Sequence, residues 1–445
     1  MSRSVTEKVK AGPAPISRRD LMQSASAAAA TAALMSAVRA AFPAGAFAQS
    51  AGGPEVSKAI LGYIALTDAS ALVIAKEKGF FAKHGMPDVE VAKQASWGAT
   101  RDNITLGSEN NGIDGAHILS PMPYLISTGK VTQNNVPTPM YLLLRLNLDA
   151  QAISVANEFK DLKIGTDASP LKAVWAAKKA AGKEVKVAMT FPGGTHDVWI
   201  RYWLAAGGID PDKDVSLITV PPPQMVANMK VGNMDAFCVG DPWHEQLVNQ
   251  GIGYTACTTG EIWPRHPEKA LGMRAAWVDK HPKATRALLM AVIEAQQWCD
   301  RMENKDELAA ITGKRQWFNV PVNDMIGRLK GNIDYGNGRV EKGSRQYMKF
   351  WQEHASYPFK SHDAWFITED IRWGKFEPTT DIKALVDKVN REDLWREAAK
   401  QLSVPAGDIP ASPSRGKETF FDGKVFDPDD PSAYLKSLSI KRGTV

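Results

Sequence analysis

A strand signal followed by a capped helix recurs between residues 57 and 255, and this alternation constrains the fold more than any other feature. The first series opens with the apolar run 59–65. Asp68 is placed to cap a helix that carries Leu72, Val73 and Ala75 and stops at Gly79. Val89 and Val91 alternate with polar neighbours, as in a half-buried strand, and Ser96 then caps a helix ending at Gly107. Residues 115–119 read as a strand. Ser120-Pro121 puts a cap before a proline at the first helical position, and 140–146 is a further strand. The second series holds strands over 152–156, 185–191, 215–220 and 236–239. Its helices run over 171–181, from 195 through 204, around Met225 and Met229, and after Asp241-Pro242. Two such series predict two parallel-sheet α/β lobes. A long helix is expected from Pro282 to about Met302. From Pro358 onward seven prolines interrupt the pattern, which reads as a helical region and then irregular chain wrapping the lobes.

Composition excludes several classes. With 44% hydrophobic and 23% charged residues, the 445-residue chain is neither disordered, collagen-like nor a coiled coil. Three cysteines (Cys238, Cys257, Cys299) rule out a disulfide scaffold and lack zinc-ribbon spacing, so all three are expected to be plain buried residues. No apolar run reaches the roughly 18 residues of a membrane helix. The first 48 residues carry Arg18-Arg19, an alanine-rich stretch over 25–38 and Ala46-Phe47-Ala48. This is the pattern of a twin-arginine export signal cleaved near Ala48, with a periplasmic mature protein. With no cysteine before Cys238, no lipid anchor is expected. Removing the segment's six basic and two acidic residues takes the net charge from +5 to +1. That near-neutral balance gives no electrostatic basis for a nucleic-acid partner.

Standard catalytic motifs are missing: no nucleophile elbow, no H-E-x-x-H, no phosphate loop and no dinucleotide fingerprint. The chain is therefore read as a non-enzyme without cofactor or metal. Strand-to-helix junctions are abundant instead. In an open α/β sheet they lie at the carboxyl ends of strands, where ligands bind, and a helix start there presents free N–H groups to a small anion. Gly193-Gly194-Thr195-His196 fits best, with glycines that let backbone approach closely. His196 is an anion donor or a capping residue. Trp97 offers an indole N–H or fills the core. Gln151 donates an amide N–H or lies in a solvated turn, and Lys269 supplies a charge or sits on the surface.

Together these segments resemble one family, the solute-binding component of nitrate ABC transporters, in the nitrate/bicarbonate branch of periplasmic binding proteins. The stretches that carry the resemblance include Leu66-Thr67-Asp68-Ala69, Gln94-Ala95-Ser96-Trp97-Gly98, Phe191-Pro192-Gly193-Gly194-Thr195-His196-Asp197, Gly240-Asp241-Pro242-Trp243-His244-Glu245 and His266-Pro267-Glu268-Lys269. The resemblance spans roughly residues 57 to 400. It implies a type II periplasmic binding protein: lobe I from 57–150 and 256–360, lobe II from 151–255, a hinge between them, and a C-terminal extension over 361–445. It implies that Trp97, Gln151, His196 and Lys269 bind nitrate, or nitrite, through an excess of positive donors, and that Lys269→Glu abolishes binding with the fold intact. The bicarbonate branch has an acidic residue where Lys269 stands and recruits calcium, so Lys269 points away from a metal. The implied partner is a membrane ABC permease, with the protein itself a monomer. The competing readings are a binder of bicarbonate or another small anion, a nitrate sensor, and an enzyme related to thiamine-pyrimidine synthases.

Overall fold

The computed structural model describes residues 53–442, so the export signal expected over 1–48 lies outside the described residues. Ten strands build two sheets: β1 Ile60–Tyr63, β2 Glu90–Lys93, β3 Gly115–Leu119, β4 Met140–Arg145, β5 Gln151–Ala156, β6 Lys186–Met189, β7 Ser216–Thr219, β8 Ala236–Gly240, β9 Gly253–Thr258 and β10 Lys269–Arg274. The first sheet has the order β2-β1-β3-β10-β4 and the second β7-β6-β8-β5-β9. Each forms the centre of an α/β lobe.

Neither sheet is wholly parallel, which corrects the sequence expectation. β1 pairs in parallel with β2 and β3, and β6 with β7 and β8. β10 runs antiparallel to β3 and β4, and β5 antiparallel to β8 and β9. The reason is the route of the chain. β5 arrives from the first sheet and β10 from the second, so each begins at the carboxyl ends of its neighbours and runs against them. The register places Lys269 opposite Leu119, the last residue of β3, and Gln151 opposite Gly240, the last residue of β8. Two residues singled out in the sequence thus sit where open α/β sheets bind ligands.

The helices used below are α1 Ser70–Glu77, α2 Trp97–Leu106, α3 Thr195–Ala206, α4 Trp243–Asn249, α5 Pro282–Asp300, α6 Lys360–Arg372, α7 Ile382–Val389 and α8 Glu392–Gln401. Ser96 caps α2, its hydroxyl accepting from the Ala99 N–H at 3.1 Å. Asp68 does not cap α1. It lies in a single 3-10 turn, Thr67–Ala69, and makes no cap hydrogen bond. The three cysteines are free and buried.

Beyond residue 358 the chain is better ordered than its prolines suggest. α6 is buried from Ser361 through Arg372. Its Trp365 ring stacks on Trp199 with centroids 5.2 Å apart, and lies 4.9 Å from Trp263 and 5.1 Å from Phe420. Each such ring removed from water contributes about 1.5–3 kcal/mol. On the same helix Asp363 is paired with Arg145 of β4 and accepts from Asn390 at 2.7 Å. Helix α6 therefore touches Arg145 of the first lobe and Trp199 of the second.

Candidate functional site

The start of α3 brings the two lobes together. Gly193 has a φ of +78°, open to glycine without strain. A methyl at Gly194 would lie 2.4 Å from Leu119 Cδ1 of β3, so any larger residue would push that side chain aside. The helix then presents His196 inward.

His196, Gln151 and Lys269 meet there, each 0% exposed. His196 Nε2 is 2.8 Å from Gln151 Oε1, and Lys269 Nζ lies 3.5 Å from each of those atoms. Trp97, also 0% exposed, is reached through His117, its ring centroid 5.3 Å from that imidazole. The Trp97 indole N–H and the Thr67 hydroxyl are buried with no hydrogen-bond partner among the described residues. Buried donors without a partner, close to a cluster of buried polar groups, are what an oxyanion requires, since its charge must be met by several hydrogen bonds when water is excluded. The alternatives of a surface lysine and a solvated glutamine are excluded by burial.

Sequence reasoning missed the residues that complete this cluster. Asp68 accepts from Lys269 at 2.9 Å, from Gln151 Nε2 at 3.2 Å and from His117 Nε2 at 2.5 Å. Glu268 accepts from Lys269 at 2.8 Å, from the Trp199 indole at 2.8 Å and from the Thr195 hydroxyl. Lys269 is therefore no unopposed positive charge, which corrects the expected excess of positive donors. Two carboxylates flank one ammonium. Burial opposes the ionisation of Asp68, yet Lys269 and His117 more than offset it and hold the carboxyl well below its usual range. Burial also opposes the charge on Lys269, and Asp68 and Glu268 raise its pKa above the ordinary value. Burial, with Lys269 beside it, pushes His196 well down, toward the neutral imidazole. The one signal for Asp68 in the sequence was its place just after β1; for Glu268 it was adjacency to Lys269.

Gly240 packs directly against the cluster. A methyl there would stand 2.6 Å from Gln151 Oε1 and 3.1 Å from Asp68 Oδ2. Among the described residues no group of three or more His, Cys, Asp or Glu is arranged to hold a metal ion, and no helix is long and apolar enough to cross a membrane.

The profile of the NMT1-like family matches residues 52–313. The nitrate/nitrite binding protein NrtA of Synechocystis sp. strain PCC 6803 is 64% identical over 389 residues, covering 87% of this chain and 86% of that protein. The chain belongs to this family of solute-binding proteins. The bicarbonate-binding protein CmpA of Synechococcus elongatus is 48% identical over 397 residues, with 87% and 88% coverage. The crystal structure of the periplasmic nitrate-binding protein NrtA from Synechocystis PCC 6803 superimposes with a TM-score of 0.85, covering 87% of this chain and all of that one. Two-lobed periplasmic-binding-protein architecture is thereby established for residues of both sheets.

Proposed function

We propose that this protein is an extracytoplasmic solute-binding protein that captures nitrate, or nitrite, between its lobes and hands it to an ABC permease. The observation that carries this reading is the position of Lys269: fully buried, with Gln151 and His196 both within 3.5 Å, at the junction of the two sheets. A relative named for nitrate and nitrite at 64% identity supports it over the bicarbonate binder at 48%. The lysine supports it too, since the bicarbonate branch resembled above carries an acid there.

Trp97, Gln151, His196 and Lys269 form the binding set in this reading. A full charge at about 4 Å and an effective dielectric near 20 contributes roughly 4 kcal/mol before desolvation and before the opposing charges of Asp68 and Glu268. Each hydrogen bond to the anion adds on the order of 1.5–3 kcal/mol before that cost. Micromolar capture needs about −8 kcal/mol in total. These donors count toward it without a metal, and no bond of the anion itself is made or broken.

All four side chains are sealed from solvent in this conformation, so the anion enters when the lobes part. The crossings between β4 and β5 and between β9 and β10 serve as the hinge. The anion touches groups of both lobes and so favours the closed form, which the permease receives. Export through the twin-arginine route, cleavage near Ala48, a periplasmic monomer, and lobes bounded at 150/151, 255/256 and 360/361 complete the proposal.

Calorimetric titration with nitrate, nitrite and bicarbonate, each with and without calcium, tests it. The expected result is a 1:1 nitrate isotherm unaffected by calcium. A calcium-dependent response to bicarbonate alone would replace it. Fractionation of cells checks the compartment.

A further inference from the structure

The charge count around Lys269 bears on what enters with the anion. Asp68 and Glu268 contribute two negative charges within 2.9 Å of one ammonium. The imidazoles facing this cluster do not cancel the remainder. His117 on β3 gives Nε2 to Asp68, and its Nδ1 is buried with no partner among the described residues, as suits a neutral ring. Burial pushes both His117 and His196 down. Burial brings His244 on α4 down to about 3; its Nδ1 meets Ser154 and its Nε2 the Val239 carbonyl. His266, beside Glu268, is likewise lowered by burial. Acids farther out have bases of their own. Asp149 is 3.2 Å from Lys349, Asp241 is 3.4 Å from Arg328, and Asp197 is 2.7 Å from Arg201. Burial pushes the carboxyl of Asp370 on α6 well up, and the charge of Asp197 adds to the shift.

The hydrogen bonds assign the proton on His196. Gln151 donates its amide nitrogen to Asp68 and so turns its oxygen to His196 Nε2, 2.8 Å away; Nε2 therefore carries the proton. Nδ1 accepts from the Thr190 hydroxyl at 2.6 Å. A hydroxyl can reverse this bond, because its oxygen accepts as readily as its hydrogen donates.

We propose that Asp68 and Glu268 are specificity-determining residues of the anion site: together they outweigh Lys269, so a monovalent oxyanion enters together with one proton from solvent, taken by Nδ1 of His196. This rests on the anion-binding reading above. The step forms one N–H bond at Nδ1 and leaves a water or buffer acid one proton poorer. The Thr190 hydroxyl turns to accept from Nδ1–H, and Nε2–H remains a donor. The imidazolium then stands beside the anion, and pocket and ligand together carry one negative charge rather than two. Thr190 is a positioning residue for the protonated ring.

The test is calorimetry of the intact protein with sodium nitrate in two buffers of different ionisation enthalpy, from about pH 7 to about pH 9. The expected result is uptake of about one proton per nitrate and an affinity that falls about ten-fold per pH unit across this range. Binding with no proton uptake and a flat pH profile would overturn the inference and leave the anion reading standing. Absence of nitrate binding at every pH would remove the reading itself. Thr190→Val should lower affinity at least ten-fold at about pH 8 and converge on wild type only in acid, where the ring of the free protein is itself protonated, with Thr190→Ser restoring the wild-type profile. A Thr190→Val deficit equal at all pH values would contradict the role given to the hydroxyl.

Discussion

Trp199 has a different neighbourhood on each side. Its indole N–H donates to Glu268 at 2.8 Å, in the polar cluster around Lys269. Its ring stacks on Trp365 at 5.2 Å, in an aromatic cluster supplied largely by the chain beyond residue 358. The polar cluster gathers buried charges whose desolvation nearly cancels their attraction, so it adds little net stability and loses much when one member is removed. The aromatic cluster gains from every ring it excludes from water and carries no net charge. The contrast teaches where discrimination and where rigidity reside: ligand choice lies with the charges, and the stack fixes the helix that carries His196.

The largest break is expected at Lys269. Lys269→Gln should abolish measurable nitrate binding, and should cost about 3–5 kcal/mol of stability because Asp68 and Glu268 are left facing each other without a cation. The same argument corrects the expectation that Lys269→Glu spares the fold, since it would bury three carboxylates together. Denaturant unfolding alongside titration reads both effects. Trp365→Ala should cost a similar about 3–5 kcal/mol by thermal unfolding, yet leave nitrate affinity nearly unchanged below the melting range. An equal loss of affinity would merge the two clusters into one unit.

Gln151→Ala should weaken nitrate binding by about 1–3 kcal/mol. Smallest is the acid dependence of Asp68. Its carboxyl is held below the usual range, so its contribution is complete above an unfolded value of about 4 and is lost as the pH falls further. Asp68→Asn should therefore show a shallower loss of unfolding free energy below about pH 4 than the wild type. An unchanged slope would contradict the ion pair with Lys269.

The helices and strands of the two lobes were legible because they alternate at their own periods and carry local caps, as at Ser96. Two kinds of feature were not. α6 is buried on every side from Ser361 to Arg372, so it has no polar face to give it a period, and it read only as a weak helical region. The environment of Lys269 depends on β10 inserting between β3 and β4, strands more than a hundred residues earlier in the chain. No local pattern around His266-Pro267-Glu268-Lys269 signals that burial, and Asp68 looked like a helix cap for the same reason. The four binding candidates were named through resemblance to a family. The geometry joins three of them directly and the fourth through His117, and it adds the two carboxylates that the resemblance did not supply.

A crystal structure of the protein grown with nitrate would show whether Lys269 meets the anion. A planar anion is expected between the lobes, accepting hydrogen bonds from Lys269 Nζ, His196 Nε2, the Gln151 amide and the Trp97 indole N–H. Nitrate bound elsewhere, with Lys269 still held only by Asp68 and Glu268, would contradict it.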